Sequence, residues 1–302
     1  MLMSSAIAVS KQKLALLLLF EFYSAHLSNR TEEGNVYLQD APAPARTLGI
    51  EPMPFSQSTG MFPFHYKIKG RHMRTFKAIT FDFWGTLVDV DTSGQLGMDK
   101  VLAESGVTGI NAKDLYFQWD DATVRRYRSS TWRPYFDYAL LGLKDVLEPL
   151  GFETSPERWR ELTETLLVTM TGEAKPHPEV PEIISVLKQH YPLMPITNMD
   201  NRLFELNPFR AEFSMATTAE EAKAFKPSAL IFQRAIDRLA VPAQEILHVS
   251  LSQFADLEGA MPVGMNVAWI NRYGDALGKF TPAPLYEFRK LSGLREVIEA
   301  SW

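Results

Sequence analysis

Short apolar runs that end at a polar residue alternate with amphipathic stretches through the second half of the chain. Such runs, bounded by proline or glycine, are typical of buried strands, and the longer amphipathic stretches favour helices. The pattern predicts strands at residues 76–81, 193–197, 213–217, 245–249 and 266–270, and helices at residues 182–189 and 227–239. This alternation favours an α/β fold with a doubly wound, Rossmann-like parallel sheet.

A long helix-rich segment interrupts the alternation directly after the first strand. It is dense in aromatic residues, namely Tyr116, Phe117, Trp119, Tyr127, Trp132, Tyr135, Phe136 and Tyr138. A helical block inserted after the first strand of such a sheet is expected to cover the strand ends as a cap. We therefore expect a core at residues 73–91 and 173–302 and a helical cap at residues 92–172.

The first 72 residues differ in composition from the rest of the chain. Prolines at positions 42, 44, 52 and 54 interrupt both helix and strand there. We therefore expect residues 1–72 to form a poorly ordered leader. The apolar run at residues 14–20 is too short to cross a bilayer, and we expect no membrane partner.

Composition excludes several classes of function. The 302 residues carry a net charge of -5, whereas a nucleic-acid partner would favour a basic surface. The chain has no cysteine, so disulfides, thiolate nucleophiles and zinc–thiolate sites are excluded. The absence of cysteine fits a reducing compartment, and we expect a cytoplasmic protein that acts on a small molecule.

The most informative polar residue is Asp82, which ends the first apolar run and precedes a turn at Gly85. Open α/β sheets bind their ligands at the carboxyl ends of their strands. A carboxylate at this place can act as a covalent nucleophile. Thr86 follows in the same turn and offers a hydroxyl and a backbone N–H to an anion.

Three further polar groups follow at or just after later strands: Thr197–Asn198, Lys226 and Asp256. Taken singly, each is explained as well by a turn, a helix cap or a surface position. Their order after successive strands favours convergence on one crevice, where Lys226 would hold Asp82 ionised. By contrast, Asp200 is expected to be solvated in its loop, and His248 to pack or lie at the surface.

These four groups, in this order and with a cap after the first, resemble the haloacid dehalogenase superfamily of hydrolases. The resemblance covers residues 76 to about 275, and it implies a Rossmann-like core with a helical cap. Phosphatases of the superfamily usually carry an aspartate two residues after the nucleophile, where this chain has Trp84. They also carry a magnesium-binding aspartate where this chain has Leu251. Trp84 therefore favours the 2-haloacid dehalogenase branch, which has an aromatic residue there and uses no metal.

The resemblance to this branch implies that Asp82 displaces a halide from carbon and forms an ester that water then hydrolyses. Lys226 and Asp256 complete the implied catalytic set, and no cofactor or metal is implied. Asn198 would help to cradle the halide. The implied substrate-binding residues are Phe83, Trp84, Thr86, Thr197, Asn198, Ser250 and Ser252, with Arg125 and Arg126 from the cap.

Apart from a mild change, Thr197 in place of the commoner serine, the chain departs from the dehalogenase pattern at two places. The stretch from Ser250 to Asp256 is one residue longer than usual, and it lacks the customary asparagine. The cap arginine that usually follows a tryptophan is absent, because Trp119 is followed by Asp120. Arg128 and Arg133 are therefore further candidates beside the two arginines named above.

Two alternatives stay open at this point. The first is a small-molecule phosphatase of the same fold, which would need magnesium, and the second is a catalytically degenerate binding member. By analogy with the family, a homodimer through the cap is also compatible with the sequence.

Overall fold

The computed structural model describes residues 76–129 and 131–299. The leader predicted at residues 1–72 lies outside the described residues. Within the described chain, the predicted α/β class with a helical insertion is confirmed.

A six-stranded parallel sheet forms the centre of the core. Its strands are β1 (Ala78–Phe81), β4 (Leu193–Thr197), β5 (Thr217–Thr218), β6 (Ile246–Ser250), β7 (Asn266–Ile270) and β8 (Tyr286–Phe288). The strand order is β5-β4-β1-β6-β7-β8, so β1 lies between β4 and β6. The strand order reverses around β1, and ligand crevices of doubly wound sheets form at such a point.

Helices cover both faces of this sheet. The core helices are α5 (Val180–Leu187), α6 (Asn201–Glu205), α7 (Ala219–Ala222), α8 (Ala229–Leu239), α9 (Glu258–Ala260) and α10 (Gly293–Glu299). Alternate side chains of β1 enter opposite hydrophobic layers, with Ala78 beside α8 and Ile79 beside α5 and α10. Burial on both faces explains why every residue of β1 except Thr80 is apolar.

Four helices form the insertion after the first strand: α1 (Val90–Ser105), α2 (Ala112–Ser129), α3 (Tyr135–Leu147) and α4 (Pro156–Gly172). The buried side chains of α2 recur at helical spacing, from Leu115 through Trp119 to Thr123. The Trp119 indole donates a hydrogen bond to the Ala139 carbonyl at 2.9 Å, which joins α2 to α3. The aromatic density of this segment therefore builds the core of the cap.

A two-stranded antiparallel ribbon joins the insertion to the core. It pairs β2 (Val88–Asp89) with β3 (Lys175–Pro176), so the chain leaves and re-enters the core at one place. Asp89 also caps α1, because its Oδ1 accepts the Thr92 N–H at 3.1 Å. The helices begin at Val90, two residues before the predicted start of the cap.

The structure differs from the predicted elements at several points. The strand predicted at residues 213–217 is wrong in extent, because Phe213 follows a 3-10 turn and β5 covers only Thr217 and Thr218. The last strand, β8, was not predicted, since it is short and only half-buried. Among the described residues, no helix is both long and apolar enough to span a membrane.

Gly85 allows the turn that follows β1 to close against the β6 loop. Its φ is 80°, in the left-handed region, and a Cβ there would lie 2.7 Å from Leu251 Cδ2. Gly106 is a matched control, because its φ is 71° and a Cβ there would meet no described atom within 4 Å beyond its chain neighbours. The two glycines therefore share a backbone requirement and differ in the space around them.

We expect Gly85→Ala to lower the free energy of unfolding by about 0.5–1.5 kcal/mol more than Gly106→Ala, because the Leu251 side chain must leave its preferred rotamer. Urea unfolding of the two variants measures the difference. Equal losses in both variants would contradict the close approach of Leu251.

Candidate active site

Asp82 lies at the carboxyl end of β1, and its backbone N–H bonds to the Val249 carbonyl of β6 at 2.9 Å. Its side chain is buried, with 7% of the residue exposed. The Thr86 hydroxyl donates to Asp82 Oδ2 at 2.7 Å and accepts the Leu251 N–H at 2.9 Å. The turn after β1 thus brings the Thr86 hydroxyl back to the Asp82 carboxylate.

Lys226 joins the two buried carboxylates of the site. Its Nζ lies 2.7 Å from Asp82 Oδ1 and 2.9 Å from Asp256 Oδ1, and the residue is 2% exposed. The Asn198 side chain fixes the Lys226 backbone, since Oδ1 accepts its N–H at 2.6 Å and Nδ2 donates to its carbonyl at 3.2 Å. Asn198 therefore positions the lysine in this structure.

Asp256 is fully buried in a turn after β6 and accepts three side-chain donors. Lys226 and His248 both reach Oδ1, at 2.9 and 2.8 Å, and the Ser250 hydroxyl reaches Oδ2 at 2.8 Å. Burial alone would raise the pKa of Asp256, but the Lys226 charge and the His248 hydrogen bond lower it to about 2. Asp256 is therefore ionised at neutral pH.

The surroundings of Asp82 stabilise its ionised form less than those of Asp256 do. Burial raises the pKa of Asp82 above the ordinary value, and the Asp256 carboxylate adds to this, while Lys226 and Thr86 oppose it. Burial disfavours the charge on Lys226, yet the two carboxylates outweigh this and raise the lysine pKa. The site therefore holds a cation shared by two carboxylates, of which Asp82 is the more basic.

Two buried donors near the strand ends have no hydrogen-bond partner among the described residues. These are the Thr197 hydroxyl, at the end of β4, and the Trp84 indole N–H, two residues after Asp82. Unpaired buried donors are costly, and they are commonly satisfied by a ligand or water. Both residues were predicted to bind substrate, and both have a donor free for it.

The remaining predicted residues lie in three different settings. Ser250 holds Asp256, and Ser252 caps the following turn by accepting the Ala255 N–H at 3.1 Å. The Phe83 side chain is fully buried in the core, with its ring centre 4.9 Å from that of Phe204 in edge-on contact, so the ring does not line the site and the predicted substrate contact of Phe83 stays a prediction. The side chain alternates away from the site because Asp82 points into it.

The structure does not bring Arg125 or Arg126 to Asp82. Arg125 pairs with Asp121 one turn earlier on α2, and Arg126 pairs with Asp145 on α3 at 2.5 Å. All four side chains are at least 37% exposed. Nearby acidic partners thus hold these two arginines at the cap surface, which corrects their predicted role.

Other cap residues reach the core instead. The Tyr127 ring stacks on Phe225 at 4.6 Å, and its hydroxyl bonds to Asn198. The Arg128 guanidinium lies 3.3 Å from the centre of the Phe254 ring, between Ser252 and Asp256 in sequence. These contacts place α2 against both loops that carry the catalytic candidates.

Two residues of the site were misjudged from the sequence. Asp200 was expected to be solvated, but it is buried and accepts the N–H groups of Tyr135 and Phe136 at 2.8 and 2.9 Å. His248 was expected to pack or lie at the surface, but it bonds Asp256. The one available signal for His248 was its place as a polar residue inside an apolar strand.

The donor set does not suit a metal centre. Among residues 76–129 and 131–299, no group of three or more histidine, aspartate or glutamate side chains could hold a metal ion. Leu251 occupies the loop beside Asp82 and packs against Gly85. An aliphatic side chain there supplies no oxygen ligand for magnesium.

A comparison with known protein families agrees with the geometry of this site. The family model of haloacid dehalogenase-like hydrolases matches residues 76–260, more than half of the chain. The chain belongs to the haloacid dehalogenase-like hydrolase family. It is thus a hydrolase.

Relatives of known activity cover most of this chain. The (S)-2-haloacid dehalogenase H-109 of Pseudomonas putida is 25% identical over 74% of this chain and 98% of its own length. The haloacetate dehalogenase H-2 of a Moraxella species is 24% identical over 70% of this chain and 93% of its own.

A solved structure supports the fold. The L-2-haloacid dehalogenase of Xanthobacter autotrophicus, with chloropropionic acid covalently bound, has a TM-score of 0.63 at 17% identity. The match covers 76% of this chain and 100% of that chain. At this identity the likeness shows a shared architecture of core and cap.

Asp200 links the β4 loop to the first turn of α3 in the cap. We expect Asp200→Ala to lower the free energy of unfolding by about 1–2 kcal/mol, because two buried N–H groups lose their acceptor. Asp200→Asn retains one acceptor oxygen and should lose less. Urea unfolding measures both, and an unchanged stability of the alanine variant would contradict this link.

Proposed function

We propose that this enzyme hydrolyses a small substrate at carbon, without a metal, through an ester on Asp82, and that its substrates are 2-haloacids. The observation that carries the proposal is the buried Asp82–Lys226–Asp256 array beside Trp84 and Leu251. It supplies a nucleophile and a counter-charge. It supplies neither the acid nor the metal ligand that phosphate ester hydrolysis would require.

In the first step, a carboxylate oxygen of Asp82 bonds to the substrate carbon while the carbon–halogen bond breaks. The electron pair of that bond leaves with the halide, so no general acid is needed. Lys226 and Thr86 hold the two oxygens of Asp82 in place. The free donors of Trp84 and Thr197 are proposed to bind the anionic parts of the substrate and the departing halide.

In the second step, water bonds to the carboxyl carbon of the Asp82 ester. The bond from that carbon to the bridging oxygen, which came from Asp82, then breaks. That oxygen takes one proton of the water and leaves as the hydroxyl of the 2-hydroxy acid. The second proton of the water is released to solvent, and the Asp82 carboxylate is restored with the water oxygen in it. Asp256 is proposed to orient this water and to keep Lys226 beside the ester. The strongly lowered pKa of Asp256 suits an orienting charge better than a proton acceptor.

Halide release from 2-chloropropionate tests the proposal, and the wild-type enzyme should release it without added metal. We expect Asp82→Asn to reduce turnover by about a thousandfold or more, because an amide is a poor nucleophile. Asp99→Asn is a matched control, since Asp99 is exposed on α1. Comparable turnover in both variants would exclude Asp82 as the nucleophile.

Two other outcomes would replace the proposal. Phosphate release from p-nitrophenyl phosphate that requires both magnesium and Asp82 would identify a phosphatase. Ligand binding that survives Asp82→Ala, with turnover of neither substrate, would identify a degenerate binding member. Failure to release halide from a panel of 2-haloacids would reject the substrate class.

The charge of Asp120 is expected to affect the binding of a carboxylate substrate. It is partly buried on α2, and its charge raises the pKa of Tyr127, which bonds to Asn198. Burial, followed by the charges of Asp91 and Asp121, raises the pKa of Asp120 to about 7. Above that pH, an ionised Asp120 should repel a substrate carboxylate near Tyr127.

We therefore expect Asp120→Asn to lower KM for 2-chloropropionate above about pH 7, with little effect well below it. Asp114→Asn is the control, because Asp114 is exposed on the same helix and is not among the charges that raise the pKa of Asp120; it should leave the pH dependence of KM unchanged. Steady-state kinetics across this range provide the measurement. If Asp120→Asn left KM unchanged at every pH, the charge of Asp120 would have no effect on substrate binding.

The setting of the enzyme belongs to the same proposal. We place its activity in the cytoplasm, supported by the absence of cysteine from the 302 residues. We also propose a homodimer through the cap, supported by exposed apolar side chains on three of its segments, Leu96, Leu150 and Val168.

A further inference from the structure

A buried polar chain continues from Asp256 into the centre of the sheet. His248 Nε2 lies 2.8 Å from Asp256 Oδ1, and His248 Nδ1 lies 2.8 Å from the Thr80 hydroxyl. All three residues are fully buried. Thr80 and His248 face each other because they are register partners on the parallel strands β1 and β6.

The hydrogen bonds determine which ring nitrogen carries a proton. Asp256 is ionised and can only accept, so Nε2 of His248 must carry the hydrogen. Thr80 has a rotatable hydroxyl, which can donate to Nδ1 when that nitrogen has a free lone pair. The Thr80 hydroxyl thereby completes the hydrogen bonding of the tautomer that donates to Asp256.

This series of buried hydrogen bonds acts on the reactive carboxylate of Asp82 through Asp256. Asp256 is held by three donors: Lys226 from the loop before α8, and His248 and Ser250 from β6. Its Oδ1 shares the Lys226 ammonium with Asp82 Oδ1. A rotation of the Asp256 carboxylate would therefore displace the ammonium that stabilises Asp82.

Packing alone does not account for a histidine here. The other four residues of β6 are Ile246, Leu247, Val249 and Ser250, and all are buried. The Phe232 ring lies against His248 with a centroid distance of 5.6 Å. An aliphatic side chain would fill such a place without the cost of burying two ring nitrogens.

We infer that His248 and Thr80 are positioning residues for the proposed reaction: they orient Asp256, and through it the Lys226 ammonium, toward Asp82. This rests on the proposed role of Asp82. Neither residue needs to touch the substrate. Their loss should therefore lower kcat and leave KM nearly unchanged.

Four variants separate positioning from packing. His248→Leu fills the volume without a donor, whereas His248→Gln can place an amide N–H near the former Nε2. Thr80→Val removes the hydroxyl at constant shape, whereas Thr80→Ser retains it. Thermal unfolding of each variant confirms that it is folded before its kinetics are compared.

We expect His248→Leu to lower kcat for 2-chloropropionate by about tenfold to a hundredfold, in the range for residues that orient reactive groups. KM should change by less than about threefold, and His248→Gln should recover much of the lost kcat. Thr80→Val should lower kcat and Thr80→Ser should restore it. A folded His248→Leu variant with the wild-type kcat would overturn the inference.

A second measurement needs no turnover and therefore separates this inference from the proposed function. Nitrogen-15 NMR of the resting enzyme should show His248 with a proton on Nε2, its signal assigned by its loss in His248→Gln. The Nδ1 resonance should shift in Thr80→Val. A proton on Nδ1 alone would overturn the inference, even if the wild-type enzyme released no halide from any 2-haloacid.

Discussion

The Lys226 ammonium lies between two buried carboxylates, and the arrangement of the site depends on this shared cation. Without it, Asp82 and Asp256 would face each other as like charges in a medium that stabilises neither. Its place is fixed from both directions, by Asn198 on its backbone and by the carboxylates on its Nζ. The core strands β1, β4 and β6 deliver these groups to one crevice because their carboxyl ends coincide.

The cap depends on the same crevice. Asp200 follows the β4 residues Thr197 and Asn198 and caps α3, while Tyr127 reaches Asn198 from α2. The loop that orients Lys226 is thus also a contact of the cap. A mechanism in which the cap excludes water during displacement at carbon fits this geometry, since an ester on Asp82 must survive until the hydrolytic water is in position.

The sequence was informative where a residue's place is set by an element boundary. Asp82, Lys226 and Asp256 follow strands or precede helices, and punctuation by proline and glycine made those boundaries readable. Arg125 and Arg126 were misjudged because long side chains choose among nearby acids, here Asp121 and Asp145, which spacing alone does not rank. His248 was misjudged because a lone polar residue in an apolar strand does not reveal its two partners: Asp256 follows in the next loop, and Thr80 lies 168 positions away on a neighbouring strand.

The central claim is that Asp82 forms the ester, and oxygen tracing in a single turnover tests it most directly. With enzyme in excess over 2-chloropropionate in water enriched in oxygen-18, the carboxyl of Asp82 should gain the heavy oxygen. The 2-hydroxy acid should carry the ordinary oxygen that Asp82 donated. Mass spectrometry of the peptide that contains Asp82 reads this outcome. Heavy oxygen in the product, with none in Asp82, would show direct attack by water and contradict the account.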